Sequence, residues 1–86
     1  MNKPKKGEIY KHFKHDPNGE ENNHIYRIVG ISVDTETEEK YVVYEPLNTS
    51  ELLIGKSAQY FSRPLKMFME EVDRDEYKGL RFIKID

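Results

Sequence analysis

Turn-forming residues cut this chain into runs too short for long helices, and most of those runs are rich in strand formers. Gly7 opens the first, Glu8-Ile9-Tyr10-Lys11-His12-Phe13-Lys14, which halts at Asp16-Pro17-Asn18-Gly19. There proline presets φ for a turn, aspartate bonds the backbone ahead, and glycine tolerates positive φ. The polar residues Glu20–Asn23 extend that turn into a loop. From His24 to Asp34 a period of two places Ile25, Val29, Ile31 and Val33 on one face, interrupted by Arg27, so a long strand is expected. Gly30 in its middle predicts a bulge or sharp bend.

Thr35–Glu39 suits a hairpin into Lys40-Tyr41-Val42-Val43-Tyr44, a segment apolar on both faces and therefore expected to be central in a sheet. Pro46 is expected to end it, because proline cannot donate to a ladder. Tyr60–Arg63 reads as a short strand. Pro64 then starts a helical turn through Met69, with Leu65, Phe68 and Met69 on one side. The acidic stretch 70–76 leads to Gly79 and a last strand, Leu80–Ile85. Residues 47–59 carry mixed signals: Leu52-Leu53-Ile54 wants burial, or a dimer contact, amid polar neighbours.

Five short strands and one helical turn in 86 residues predict a single all-β domain over residues 7–86, a small closed or half-closed barrel. Closure would remove exposed edges that so short a sandwich could not cover. Residues 1–6 read as a flexible basic arm, since Lys3, Lys5 and Lys6 fall within them. A chain of this size is held by roughly 4–13 kcal/mol. Its core must be economical.

Fourteen Lys+Arg against sixteen Asp+Glu give a net charge of −2, which argues against wholesale phosphate binding. Acid concentrates at Asp34, Glu36, Glu38 and Glu39, and again in 70–76. Without cysteine there is no disulfide framework and no thiolate chemistry. No apolar run follows the basic N-terminus as a signal peptide requires, and none suits a membrane span, so the cytoplasm is the expected compartment.

An ordered set of short motifs carries a resemblance. Tyr10-x-His12-Phe13-Lys14, Glu36-Thr37 before Val42-Val43-Tyr44, Phe61-x-Arg63-Pro64-x-x-Met67-Phe68, and Arg81-Phe82 together resemble the small bacterial family called domain of unknown function 1653. The resemblance runs from Gly7 to about Ile85. It implies an SH3-like barrel or roll of five strands, with the short helical turn after Pro64, and it brings no established activity, cofactor or catalytic residue. Three departures stand out. Asp16–Asn23 lengthens the first hairpin, Phe61 stands where the family usually has tryptophan, and Leu80 stands where proline usually precedes the Arg-Phe pair.

His12, His15 and His24 are the candidate zinc ligands, but in an extended segment His12 and His15 point to opposite faces, so no metal site is expected. Asp34, Glu36 and Glu38 alternate and would share one side; decoration of a hairpin tip is favoured over a magnesium site. For Glu36 a structural ion pair with Arg63 or Arg81 is the preferred role. Ser50, Ser57 and Ser62 lie in no nucleophile context and no glycine-rich phosphate loop occurs, so no enzyme is expected and a small metal-dependent one is the least favoured alternative.

Binding is the stronger expectation. Six tyrosines and four phenylalanines form 12% of a chain without tryptophan, more rings than a small barrel can enclose. Tyr10, His12, Tyr44, Phe61 and Arg63 are expected to form a docking face for a protein, a peptide or a small ligand, because aromatics near arginine are the usual hot spots. Single-stranded nucleic acid, gripped by the basic arm and the exposed tyrosines, is the second choice. The chain is expected to be a monomer or weak homodimer, with no cofactor and no membrane partner.

Overall fold

A computed structural model describes residues 3–48, 60–74 and 76–86. Strand β1 (Ile9–His12) follows Gly7, whose φ of +89° suits glycine and whose N–H donates to the Ile28 carbonyl at 2.8 Å. Then come β2 (Ile25–Val33), β3 (Lys40–Pro46), β4 (Phe61–Pro64), helix α1 (Leu65–Met69), β5 (Glu71–Arg74), β6 (Tyr77–Leu80) and β7 (Phe82–Lys84). Five strands form one antiparallel sheet in the order β4-β3-β2-β1-β7, and β5 pairs with β6 in a second, two-stranded sheet. The large sheet is open: among the described residues no ladder joins β4 to β7. The last strand therefore lies beside the first.

Local chemistry explains most of these elements. As expected, β3 is paired on both sides and central, although Pro46 is its last residue rather than its stop. The β2–β3 ladder slips between Ile28 and Gly30, where the bend was expected. That slip overturns the expected face of β2. Before the bulge Tyr26 and Ile28 point into the core, and Ile25, which points the other way, is buried too; beyond it Ile31, paired with Val42, and Val33 lie on the Tyr26–Ile28 side, yet stand 40% and 53% exposed. One inserted residue reverses the alternation, so a single period cannot describe the strand.

The acidic stretch, to which no element was assigned from the sequence, contains β5, and the expected last strand is divided. Val72 is the buried residue of β5, flanked by exposed Glu71 and Asp73. The period of two was present, hidden by charge. Leu80 belongs to β6 and Phe82 to β7; between them Arg81 donates its N–H to the Glu70 carbonyl and accepts from the Phe13 N–H. Phe13 and Tyr77 stack with centroids 5.0 Å apart, and the Arg74 guanidinium lies 5.4 Å above the Phe13 ring, tying the small sheet to the end of β1.

The core comprises Tyr10, Tyr26, Ile28, Val42, Tyr44, Phe68 and Phe82, with Phe61, Leu65 and Met69 packed against it. The expected helical side is the observed one. Phe68 is buried and stacks on Phe82 at 4.0 Å with ring planes 6° apart. Pro4 is also buried, and Lys5 and Glu8 close a turn through Lys5 N–H to Glu8 Oε1 and Glu8 N–H to Lys5 O. Leu52-Leu53-Ile54 lies outside the described residues.

The lengthened first hairpin is held by its own polar groups. Asn23 Oδ1 accepts from the Asp16 N–H at 2.8 Å, and its Nδ2 donates to the carbonyls of Asp16 and Glu20 at 2.7 and 2.6 Å. His15 Nδ1, protonated because a carbonyl faces it, donates to Asn23 O at 2.6 Å. Buried Asn48 donates to the Glu21 carbonyl at 3.0 Å, linking the loop to the end of β3. Asn23→Ala removes three bonds at once and is expected to cost about 1–2 kcal/mol. Urea denaturation checks this; a midpoint unchanged from the parent would show that the loop holds without Asn23.

Candidate functional site

Register places the five residues expected to bind on one side of the large sheet. His12 pairs with Phe82 and Tyr10 with Tyr26; Tyr44 pairs with both Ile28 and Phe61; Arg63 pairs with Val42. Paired residues share a face, and all these neighbours face the core. The five do not share one environment. Tyr10 and Tyr44 are buried, so they form the floor of the site, whereas His12, Phe61 and Arg63 are half-buried and reach its rim. Phe61 meets Tyr44 edge-on at 5.9 Å and Tyr26 at 6.3 Å.

Phe82 is the centre of this arrangement. Phe68 stacks on it, the Arg63 guanidinium carbon lies 5.3 Å above its centroid, and the His12 ring meets it edge-on at 5.0 Å. Arg63 Nε donates to the Tyr44 hydroxyl at 3.4 Å, while its two terminal nitrogens have no hydrogen-bond or ion-pair partner among the described residues. His12 Nδ1 accepts from the Lys14 N–H at 3.1 Å, which leaves the proton of the neutral ring on Nε2. Burial, followed by the nearby charges of His24, Arg63, Arg81 and Lys14, pushes the His12 pKa down to about 4. It is neutral at pH 7. The ring of His24 lies 5.7 Å from that of His12, an adjacency across strands that sequence spacing does not disclose.

A second feature also borders Phe82. Pro4, Tyr10, Phe68, Met69, Leu80 and Phe82 line an apolar cavity of about 180 Å³ with Lys84 at its edge. Lys84 pairs with Glu8 at 3.1 Å. Burial first, then Glu8, raises the Tyr10 phenol to about 12, and the Lys5 N–H holds the Glu8 carboxyl below its usual value.

The acidic hairpin is structural. Asp34 Oδ1 accepts from the N–H groups of Glu36 and Thr37 at 2.9 and 3.2 Å, which lowers its pKa, and Glu38 adopts a φ of +62° in the turn. The expected ion pair of Glu36 with Arg63 or Arg81 is not formed: Glu36 is exposed at the hairpin tip, and Arg81 pairs with Glu70 at 2.7 Å. The tip is held by its own backbone, so no long-range partner is needed. Among the described residues no group of three or more His, Asp or Glu side chains gathers as metal ligands. Ser62 is exposed; Ser50 and Ser57 lie outside the described residues. Phe82, on which Phe68, Arg63 and His12 converge, was not among the residues expected at the site, although the Arg-Phe pair near the end was a visible signal.

Sheet and site define a small, mostly β protein in which half-buried His12, Phe61 and Arg63 border an aromatic core. The chain belongs to the family described as protein of unknown function (DUF1653), whose pattern matches residues 8–84. No curated protein and no solved structure matches it. No helix among the described residues is long and apolar enough to cross a membrane.

Proposed function

We propose that this protein is a cytoplasmic, non-enzymatic binding module, and that His12, Phe61 and Arg63 receive a protein, peptide or small ligand over a floor of Tyr10, Tyr44 and Phe82. The observation that carries this is Arg63. Its guanidinium is held over Phe82 and anchored through Nε, while both terminal nitrogens remain without a partner among the described residues. A half-buried, pre-positioned arginine beside an aromatic wall has already met the ordering cost of recognition. We also read the sheet as an opened SH3-like barrel: α1 and β5–β6 sit between β4 and β7 in the chain, and the bulge in β2 bends the strand that would serve both halves.

Arg63→Ala is expected to weaken an interaction recovered from native cytosol by tenfold or more, with a melting curve close to the parent's. Phe61 packs on Tyr26 and Tyr44, so Phe61→Leu is the gentler partner variant and should weaken the same interaction less. If Arg63→Ala binds the captured partner as the parent does, the site is elsewhere.

A further inference from the structure

The polar groups left open at this rim have one chemistry. Arg63 presents its terminal N–H groups, and neutral His12 presents Nε2–H, because Nδ1 is already occupied by Lys14. Both side chains lie within 5.3 Å of the Phe82 centroid, so guanidinium and imidazole are no more than about 10 Å apart. All of these groups are donors. The surroundings are cationic as well. Arg63, Arg81 and Lys14 all act electrostatically on His12, and Glu70, paired with Arg81, is the carboxylate seen in an ion pair with any of the three among the described residues. Arg81 Nε is buried without a hydrogen-bond partner among the described residues. In a chain with a net charge of −2, Arg63 and Lys14 thus stand near His12 without an ion-pair partner among the described residues, beside an Arg81 already paired with Glu70. Half-buried Arg63, with its terminal N–H groups lacking an acceptor among the described residues, is the group that a bound anion would satisfy.

The geometry points to a carboxylate-bearing ligand, and we propose that Arg63 grips the carboxylate by its planar fork, His12 Nε2–H supplies a further donor, and Phe61 packs against the aromatic or apolar body attached to it. This deepens the binding proposal above and rests on it. A planar carboxylate is preferred to a tetrahedral phosphate because the site offers a guanidinium fork and a neutral donor on aromatic walls.

Benzoate is the probe, followed by NMR of the full chain, with benzamide as its neutral counterpart and inorganic phosphate as the competing anion. Benzoate should shift the resonances of His12, Phe61 and Phe82 saturably, in the millimolar range expected of a ligand with so few atoms. Benzamide and phosphate should bind at least about tenfold more weakly. Arg63→Gln should weaken benzoate about tenfold, Arg63→Lys less, and Arg27→Gln, which removes an exposed pair with Glu45, should leave it unchanged. Amide dispersion establishes that each variant is folded. Equal binding of benzoate and benzamide would overturn the carboxylate assignment while leaving the aromatic–arginine cleft as a binding site. Phosphate binding tighter than benzoate would replace the carboxylate by a phosphate ligand. No saturable shift with any probe, alongside an Arg63-dependent partner from cytosol, would show that the site reads surface rather than charge.

Discussion

Phe68→Ala should remove about 3–5 kcal/mol of stability, enough to leave much of the chain unfolded at physiological temperature. Helix α1 has five residues, too few to persist alone, and Pro64 at its N-cap position provides no side-chain cap. What keeps it in place is the Phe68 ring, 2% exposed, stacked on Phe82 and meeting Tyr10 and Tyr44 at 5.4 and 5.7 Å. Removing it opens a void between α1 and the sheet where no neighbouring side chain is flexible enough to fill the space, apart from Met69. Phe68→Leu should cost far less, about 1–1.5 kcal/mol. Equilibrium denaturation measures both; a loss below about 1 kcal/mol for the alanine variant would mean that the helix is held by something other than this stack.

Acid should destabilise the protein through His12 in a defined window. Its folded pKa is about 4 against an ordinary 6.5, so as pH falls the unfolded chain takes up the proton first. The stabilisation from holding the ring neutral is complete above about pH 6.5, declines between 6.5 and 4, and is exhausted below. Because the ring is partly solvated, the full shift must be discounted, to about 1–2 kcal/mol. Glu8 and Asp34, whose pKa values are lowered by backbone N–H groups, contribute losses of their own as pH falls further, in the parent and in a His12→Gln variant alike. The difference between the two proteins therefore isolates His12. A difference constant from pH 7 to 4, or an imidazole titrating near 6.5 by NMR, would refute it.

Strand-bearing segments, the turn at Asp16–Gly19, the bend near Gly30 and the inner side of α1 were legible in the sequence because each depends on residues a few places apart. The fate of Glu36 was not. A carboxylate near arginines in a motif suggests a pair, but a backbone turn closed by Asp34 settles where Glu36 points. Strand β5 was obscured for a similar reason: one buried valine among charges is a weak local signal, and it becomes a strand only because Tyr77–Leu80 lies opposite. The site was half legible. Aromatic and arginine composition indicated strands whose named residues share one side of the sheet, whereas the division into buried floor and open rim required knowing which rings α1 covers.

The amino-acid sequence by itself determined that this chain builds short antiparallel strands around an aromatic core, since alternation and turn chemistry are local properties of the backbone. Tertiary structure alone decided that the sheet stays open in the order β4-β3-β2-β1-β7, and that His12, Arg63 and Phe82 meet. Those three residues come from strands distant in sequence. Their convergence is set by register, bulge and return of the last strand to the first, none of which any single segment encodes.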